Sequence, residues 1–205
     1  MKLHWSPRSP FVRKVMVAAH ELGLADRITT IRTVVAMVKP NLDLMPQNPL
    51  SKLPTLVLDD GTVLFDSLTI CEYLDHLAGG GQLFPPPGPA RWRTLTRHAL
   101  ANGLLDALIL WRNERDKPEA RQTPAWLTSF AIKVEACLDN IDADVPALTA
   151  SRIGIEHVAT ACTLAYLDFR FPDLDWRTSR PALAGWFAGF AARPSMQATA
   201  VVDDA

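Results

Sequence analysis

The segment GGGQLFPPPGPA, residues 79–90, does most to limit what this chain folds into. Its glycines carry a large entropy cost in a helix, and its prolines lack the amide donor that both a helix interior and a central strand require. Regular structure must therefore pause here, and the patterns on the two sides differ. Upstream, short β-rich runs alternate with helical periodicity, whereas downstream only helical periodicity remains. The reading is a mixed α/β domain over 1–78, a linker over 79–90 and an all-α domain over 91–205. With 205 residues, 48% of them apolar, the chain is long enough to give each part a core.

In the first part, KLHW reads as a short strand and residues 10–23 as a helix with Val12, Val15, Met16, Ala19 and Leu22 on one side. TTIRTVV, residues 29–35, reads as a second strand, while 35–48 carries no clear period. TLVLDDGTVLF, residues 55–65, has two β-rich runs around Asp60-Gly61, a hairpin signal. A helix follows, with Leu68, Cys71, Leu74 and Leu77 at helical spacing and Ser67 as its cap. Beyond the linker, helices are expected at 91–115, from Thr123-Pro124 with Thr123 as cap, at 154–170, and from Pro181 to Ala192.

Composition removes several functions. The formal charge is −1 and both signs are scattered along the chain, so no nucleic-acid face and no acidic tail is expected. No apolar run reaches the roughly 18–20 residues of a membrane span, and the N-terminus lacks the apolar core of a signal peptide. The expectation is a cytoplasmic protein that meets a small molecule or another protein. Cys71, Cys137 and Cys162 are odd in number and lack CxxC spacing, which reads as reduced, packed thiols. His4, His20, His76, His98 and His157 show no paired ligand spacing, so no metal is expected.

Chemistry concentrates at WSPRSPFVRKV, residues 5–15. Pro10 at a first helical position makes Ser9 the natural N-cap. Capping does not explain Arg13 and Lys14 in the opening turns, where positive charge opposes the helix dipole by about 0.3–1 kcal/mol each if exposed. Open amides, dipole and cations together favour an anion, and a hydroxyl there can donate to a thiolate. A thiol near its ordinary pKa is mostly protonated at neutral pH, and such surroundings raise the ionised fraction. The bland alternative is that Ser9 caps, Ser6 starts a turn and the cations lie along the surface.

A second stretch, NPLSKLPTLVLDDGTVLFDSLTICEYLD over 48–75, closely resembles the glutathione-site signature of cytosolic glutathione transferases. Asn48, Pro49, Lys52, Leu53, Pro54, Asp66 and Ser67 are the matching residues, with the spacing intact. The likeness extends to SPFVRKV and to YLDFRFPDLDW and RPALAGWFAGFAARPS, so it spans essentially the whole chain and is similar to small bacterial members. It implies a thioredoxin-like βαβαββα domain followed by an all-helical domain, working as a homodimer in detoxification. By that resemblance Pro54 is cis, and the Leu53 main chain pairs with the cysteinyl unit of glutathione. Ser67 takes the γ-glutamyl carboxylate, Asp66 its ammonium and Lys52 the glycyl carboxylate. The serine over the sulfur is Ser9, where thiol-using relatives carry Cys, or Ser6, because register before this helix shifts among classes.

The resemblance implies a small electrophile as second substrate, in a site lined by Trp5, Phe11, Asp106 and Trp111, with Asn102, Arg112 and Arg115 at related spacing on the same predicted helix. The implied activity is that of a transferase which ionises the glutathione thiol and conjugates it. Two alternatives stay open. A glutathione-dependent thiol-disulfide oxidoreductase would need a cysteine where Ser6 and Ser9 stand, and a non-catalytic glutathione-binding protein would keep the same binding residues. One departure is plain: where many relatives open a helix with a Ser/Thr-x-x-Asp capping box, this chain has Gly154-Ile155-Glu156-His157.

Overall fold

A computed structural model describes residues 1–203 and divides the chain into two compact units, 1–86 with 194–205, and 87–193. The terminal segment therefore groups with the first unit, a correction to the expected 91–205 helical domain. Its anchor is packing: Arg13 Nη2 donates to the Met196 carbonyl at 3.1 Å, and Ser195 Oγ donates to Glu21 Oε1 at 2.5 Å.

The first unit holds a four-stranded sheet in the order β2-β1-β3-β4, with β1 at Lys2–Trp5, β2 at Thr29–Arg32, β3 at Thr55–Val57 and β4 at Val63–Leu64. Strand β1 runs parallel to β2 and antiparallel to β3, which is antiparallel to β4. Parallel pairing of β1 and β2 requires a crossover, supplied by α1 at Pro10–Glu21. Helix α2, Ser67–Leu77, follows β4 and packs on α1. Leu3 and Leu56 from the sheet meet Val12, Val15, Ala19, Ile70 and Leu74 in a fully buried core. Val17 and Ala18 are buried as well, so α1 is covered over more than the single stripe read from its periodicity.

Between β2 and β3 the implied βαβαββα pattern is one helix short. Residues 41–50 form successive turns with isolated backbone bonds such as Asn48 N–H to the Leu44 carbonyl at 2.9 Å. Pro40, Pro46 and Pro49 deny amide donors at intervals too short for a helix to propagate. The hairpin forms where expected: Leu58 and Thr62 close it at 2.8 Å, and Gly61, at φ 89°, takes the left-handed position. The glycine run is ordered by Asp75, whose carboxylate accepts the N–H groups of Gly81, Gln82 and Leu83 at 2.7–3.0 Å.

The second unit is helical: α3 at Pro89–Arg115, α4 at Pro124–Ala143, α5 at Val145–Ala150, α6 at Ile155–Arg170, α7 at Trp176–Ser179 and α8 at Pro181–Ala191. A last turn, α9 at Pro194–Ala198, belongs to the first unit. The long α3 packs on α6 and α4, and Leu104, Leu105, Leu108, Val134, Leu138, Val158 and Leu164 are buried there. No helix among the described residues is long and apolar enough to cross a membrane.

Candidate functional site

Strand directions gather the first-unit candidates. His4 of β1 faces Thr55 of β3, and Leu56 faces Leu64 of β4, so three things share one end of the sheet. These are the exit of β1, the entry to β3 and the exit of β4. Trp5 to Ser9, Lys52 to Pro54 and Asp66-Ser67 are the segments at those positions, and α1 and α2 both begin there.

At the exit of β1, Ser9 N–H donates to the Ser6 carbonyl at 3.2 Å and closes a tight turn over Ser6-Pro7-Arg8-Ser9. Ser9 then caps α1, its Oγ accepting the Val12 N–H at 3.3 Å. A hydroxyl that accepts through a lone pair still has its proton to donate, so the cap does not consume Ser9 as a donor. The Ser6 hydroxyl has no partner among the described residues. The cations behave differently from a simple exposed anion cradle. Arg13 reaches the Met196 carbonyl, and Lys14 is only 1% exposed, its Nζ 5.6 Å from the centre of the Phe11 ring. Arg8 pairs with Asp203 at 3.6 Å.

At the entry to β3 the Leu53–Pro54 peptide is cis. Neither the N–H nor the carbonyl of Leu53 has a backbone partner among the described residues. The loop around it is braced from within. Buried Asn48 donates through Nδ2 to the Lys52 carbonyl at 3.2 Å and to Thr55 Oγ1 at 2.9 Å, and accepts the Leu50 N–H at 3.1 Å. Thr55 donates to the same Lys52 carbonyl at 2.9 Å. His4 adds a second brace, linking Thr33 Oγ1 at 2.9 Å to Gln47 Oε1 at 2.6 Å. Sequence reasoning missed Thr55 and His4 in this role; the family resemblance pointed to Asn48, but nothing local marks a residue whose partner is distant in sequence. The Lys52 side chain is exposed.

At the start of α2 the cap is Asp66, not Ser67. Asp66 Oδ1 accepts the N–H groups of Leu68 at 3.0 Å and Thr69 at 3.4 Å, which leaves Ser67 as the first helical residue. The reason is backbone geometry: Asp66 has the extended dihedrals of a cap, φ −84° and ψ −162°. Ser67 is 3% exposed, and its hydroxyl has no partner among the described residues. Its N–H stands among the helix-start donors that no earlier carbonyl can reach.

Trp5 and Phe11 are half-buried on either side of the serine turn. In the second unit, Asp106 is exposed and accepts from Asn102 at 3.4 Å. Trp111, expected among the contacts of the electrophile, is packed among its neighbours. It is 7% exposed, its ring lies 5.0 Å from that of Phe171, and Arg115 covers both rings while pairing with Asp173 at 2.9 Å. A large aromatic on the buried face of a long helix is claimed by packing. Cys71 and Cys162 are buried, and burial pushes the half-buried Cys137 thiol up. Among the described residues no cluster of His, Cys, Asp or Glu could hold a metal ion.

Comparison with known proteins finds relatives along the whole chain. Residues 8–77 match the family model described as glutathione S-transferase, N-terminal domain, and residues 124–189 match the corresponding C-terminal domain. A glutathione transferase family member from Pseudomonas fluorescens, solved with bound glutathione, is 42% identical over 97% of each chain with a TM-score of 0.93. A second structure from that organism, with bound S-(propanoic acid)-glutathione, is 41% identical with a TM-score of 0.90, covering 98% of this chain and 99% of that one. A GST-like protein of Escherichia coli, itself uncharacterized, is 29% identical over 97% of this chain and 98% of its own.

Proposed function

Because the chain belongs to the glutathione transferase superfamily, we propose that it binds glutathione, holds its sulfur as a thiolate and transfers that sulfur to a small electrophile. The observation that carries this reading is the set of open hydrogen-bonding groups at one end of the sheet: the Leu53 main chain, Ser67 and the two turn serines. Leu53 pairs with the cysteinyl unit as an added strand would. Ser67 receives the γ-glutamyl carboxylate with its hydroxyl and N–H at a helix start, which favours negative charge. Asp66 still has a carboxylate oxygen for the ammonium after capping, and exposed Lys52 meets the glycyl carboxylate.

Ser9 donates to the sulfur, with Ser6 the competing donor. Rate then comes from ionisation and from holding the sulfur close to the electrophilic carbon, with no covalent enzyme intermediate. The absence of cysteine between Ser6 and Ser9 disfavours thiol-disulfide exchange at this turn. Trp5 and Phe11 remain the proposed contacts of the electrophile, and a carboxylate-bearing electrophile is the favoured class, given the S-(propanoic acid)-glutathione held by the 41% identical protein. A homodimer is the proposed assembly, to be checked by light scattering.

The test is the thiol titration of bound glutathione by ultraviolet difference absorbance, in wild type, Ser9→Ala and Ser6→Ala. A thiol pKa below the usual 8.5 or so, restored by Ser9→Ala alone, is expected. An unshifted thiol despite saturable binding would sink the catalytic reading and leave a carrier.

A further inference from the structure

We propose that His4 is a positioning residue for the glutathione site, acting as an imidazolium that ties the sheet to the loop presenting the Leu53 main chain. The inference rests on the glutathione-binding reading above and adds to it a dependence on pH. Strand register is its starting point. His4 of β1 stands opposite Thr55 of β3, so the two side chains project from the same face of the sheet. They reach consecutive residues of one loop: His4 Nε2 meets Gln47 Oε1 at 2.6 Å, and Thr55 Oγ1 meets Asn48 Nδ2 at 2.9 Å. Asn48 carries the connection onward by donating to the Lys52 carbonyl, which belongs to the peptide joining Lys52 to Leu53.

The placement of protons assigns the charge. Thr33 Oγ1 donates its one proton to the Ile31 carbonyl at 3.1 Å, so toward His4 Nδ1, 2.9 Å away, it accepts. Gln47 Oε1 is an amide oxygen and can only accept. Both ring nitrogens therefore donate, which requires the doubly protonated ring. A neutral ring has one N–H for two acceptors. Either a bond is lost, or the exposed Gln47 amide reverses and a charged bond gives way to a neutral one about half as strong. Among the described residues no carboxylate pairs with this ring. The charged side chains on the elements around it are Lys2, next on the same face of β1, Arg32 at the end of β2, whose Nη1 donates to the Thr33 carbonyl at 3.0 Å, and exposed Asp43 and Lys52 on the loop; β3 carries none.

Loss of the ring proton loosens the loop at Gln47 and lowers the fraction of molecules that hold Leu53 ready. Apparent affinity falls by that fraction. Histidine side chains change charge between about pH 5 and 8, which fixes the sign: glutathione binds more tightly at the acid end and more weakly as pH rises.

The experiment uses S-methylglutathione, which has no thiol to titrate, in calorimetric titrations between about pH 5.5 and 7.5 with wild type, His4→Gln, Gln47→Met and Gln47→Glu. Wild type should bind about three- to tenfold more tightly at the acid end. The dependence should vanish in His4→Gln and in Gln47→Met, an exposed substitution that leaves the ring in place. Gln47→Glu gives the imidazolium a carboxylate and should hold the tight affinity to higher pH. A purely structural role for His4 would change affinity equally at every pH. An affinity flat across the range in wild type, or a dependence that survives Gln47→Met, overturns this inference while the glutathione reading stands. Failure of wild type to bind at any pH overturns both.

Discussion

Two helix starts in this molecule solve the same problem in opposite ways. Every helix begins with amide N–H groups that no earlier carbonyl can reach. At α2, Asp66 accepts two of them and leaves Ser67, buried yet without a side-chain partner among the described residues. At α6 the chain closes the end on itself. His157 Nδ1 accepts the Gly154 N–H at 3.0 Å, and Nε2 faces the Leu148 carbonyl at 3.0 Å, so the ring is a neutral imidazole with its proton on Nε2. Glu156, 3% exposed, accepts from Thr94 Oγ1 at 3.1 Å and folds back over Gly154, whose missing Cβ makes the room. The start that is left open is the one proposed to bind glutathione, and the start that is sealed serves stability. Donors left open in a buried place cost stability unless a ligand completes them.

The largest expected effect breaks the sealed start. His157→Ala strands the Gly154 amide in a buried place and empties the space of the ring, while the Leu148 carbonyl keeps Ser151 N–H and Oγ, and should lower stability by about 2–4 kcal/mol, or about 5–15 °C in Tm. Circular-dichroism melting checks this, and glutathione affinity of the folded protein at low temperature should stay as in wild type. If Tm moved by less than a degree or two, the cap would be ornamental.

Next in size is the open start. Ser67→Ala should weaken glutathione binding by about 1.5–3 kcal/mol, the range for a hydrogen bond to a charged group, while the unfolding free energy without ligand stays within about 0.5 kcal/mol of wild type. Calorimetric titration beside thermal melting separates the two readouts. A Ser67→Ala protein that melts early and binds normally would reverse the contrast between the helix starts.

A third start sharpens the contrast through pH. Thr123 caps α4 by position, yet its hydroxyl makes no cap bond; its N–H donates instead to Glu114 Oε1 at 2.7 Å, while Lys117 Nζ donates to Oε2 at 2.5 Å. The Lys117 and Thr123 bonds hold the Glu114 carboxyl below its ordinary value of 4.5. An acid depressed on folding adds stability that is fully present above 4.5 and is lost as pH falls through the lower folded value. Tm should therefore fall less between about pH 6 and pH 3.5 in Glu114→Gln than in wild type. Parallel melting curves for the two proteins across that range would refute the coupling.

Much of the architecture was legible in the chain. The glycine and proline run at 79–90 separates the mixed pattern from the helical one, Asp60-Gly61 sets the hairpin, and prolines 10, 124 and 181 open helices where first-position proline is favoured. What misled local reading was partnership across distance. Ser67 reads as a cap because serine caps well, but the backbone turns one residue earlier and Asp66 takes the role. Trp111 shares a helix with exposed Asp106, and only Phe171 and Arg115 assign it to packing. Gly154-Ile155-Glu156-His157 reads as a missing capping box, yet the histidine ring supplies the reciprocal half of one.

By itself, then, the sequence determined the order and kind of the elements and the residues of the glutathione signature, because periodicity, turn chemistry and capping act within a few residues. Only the tertiary structure decided which hydroxyls keep an uncommitted proton, that Arg13 and the terminal segment hold each other, and that Arg8 meets Asp203. Those outcomes depend on which groups lose water together when distant segments pack, and no local pattern encodes that.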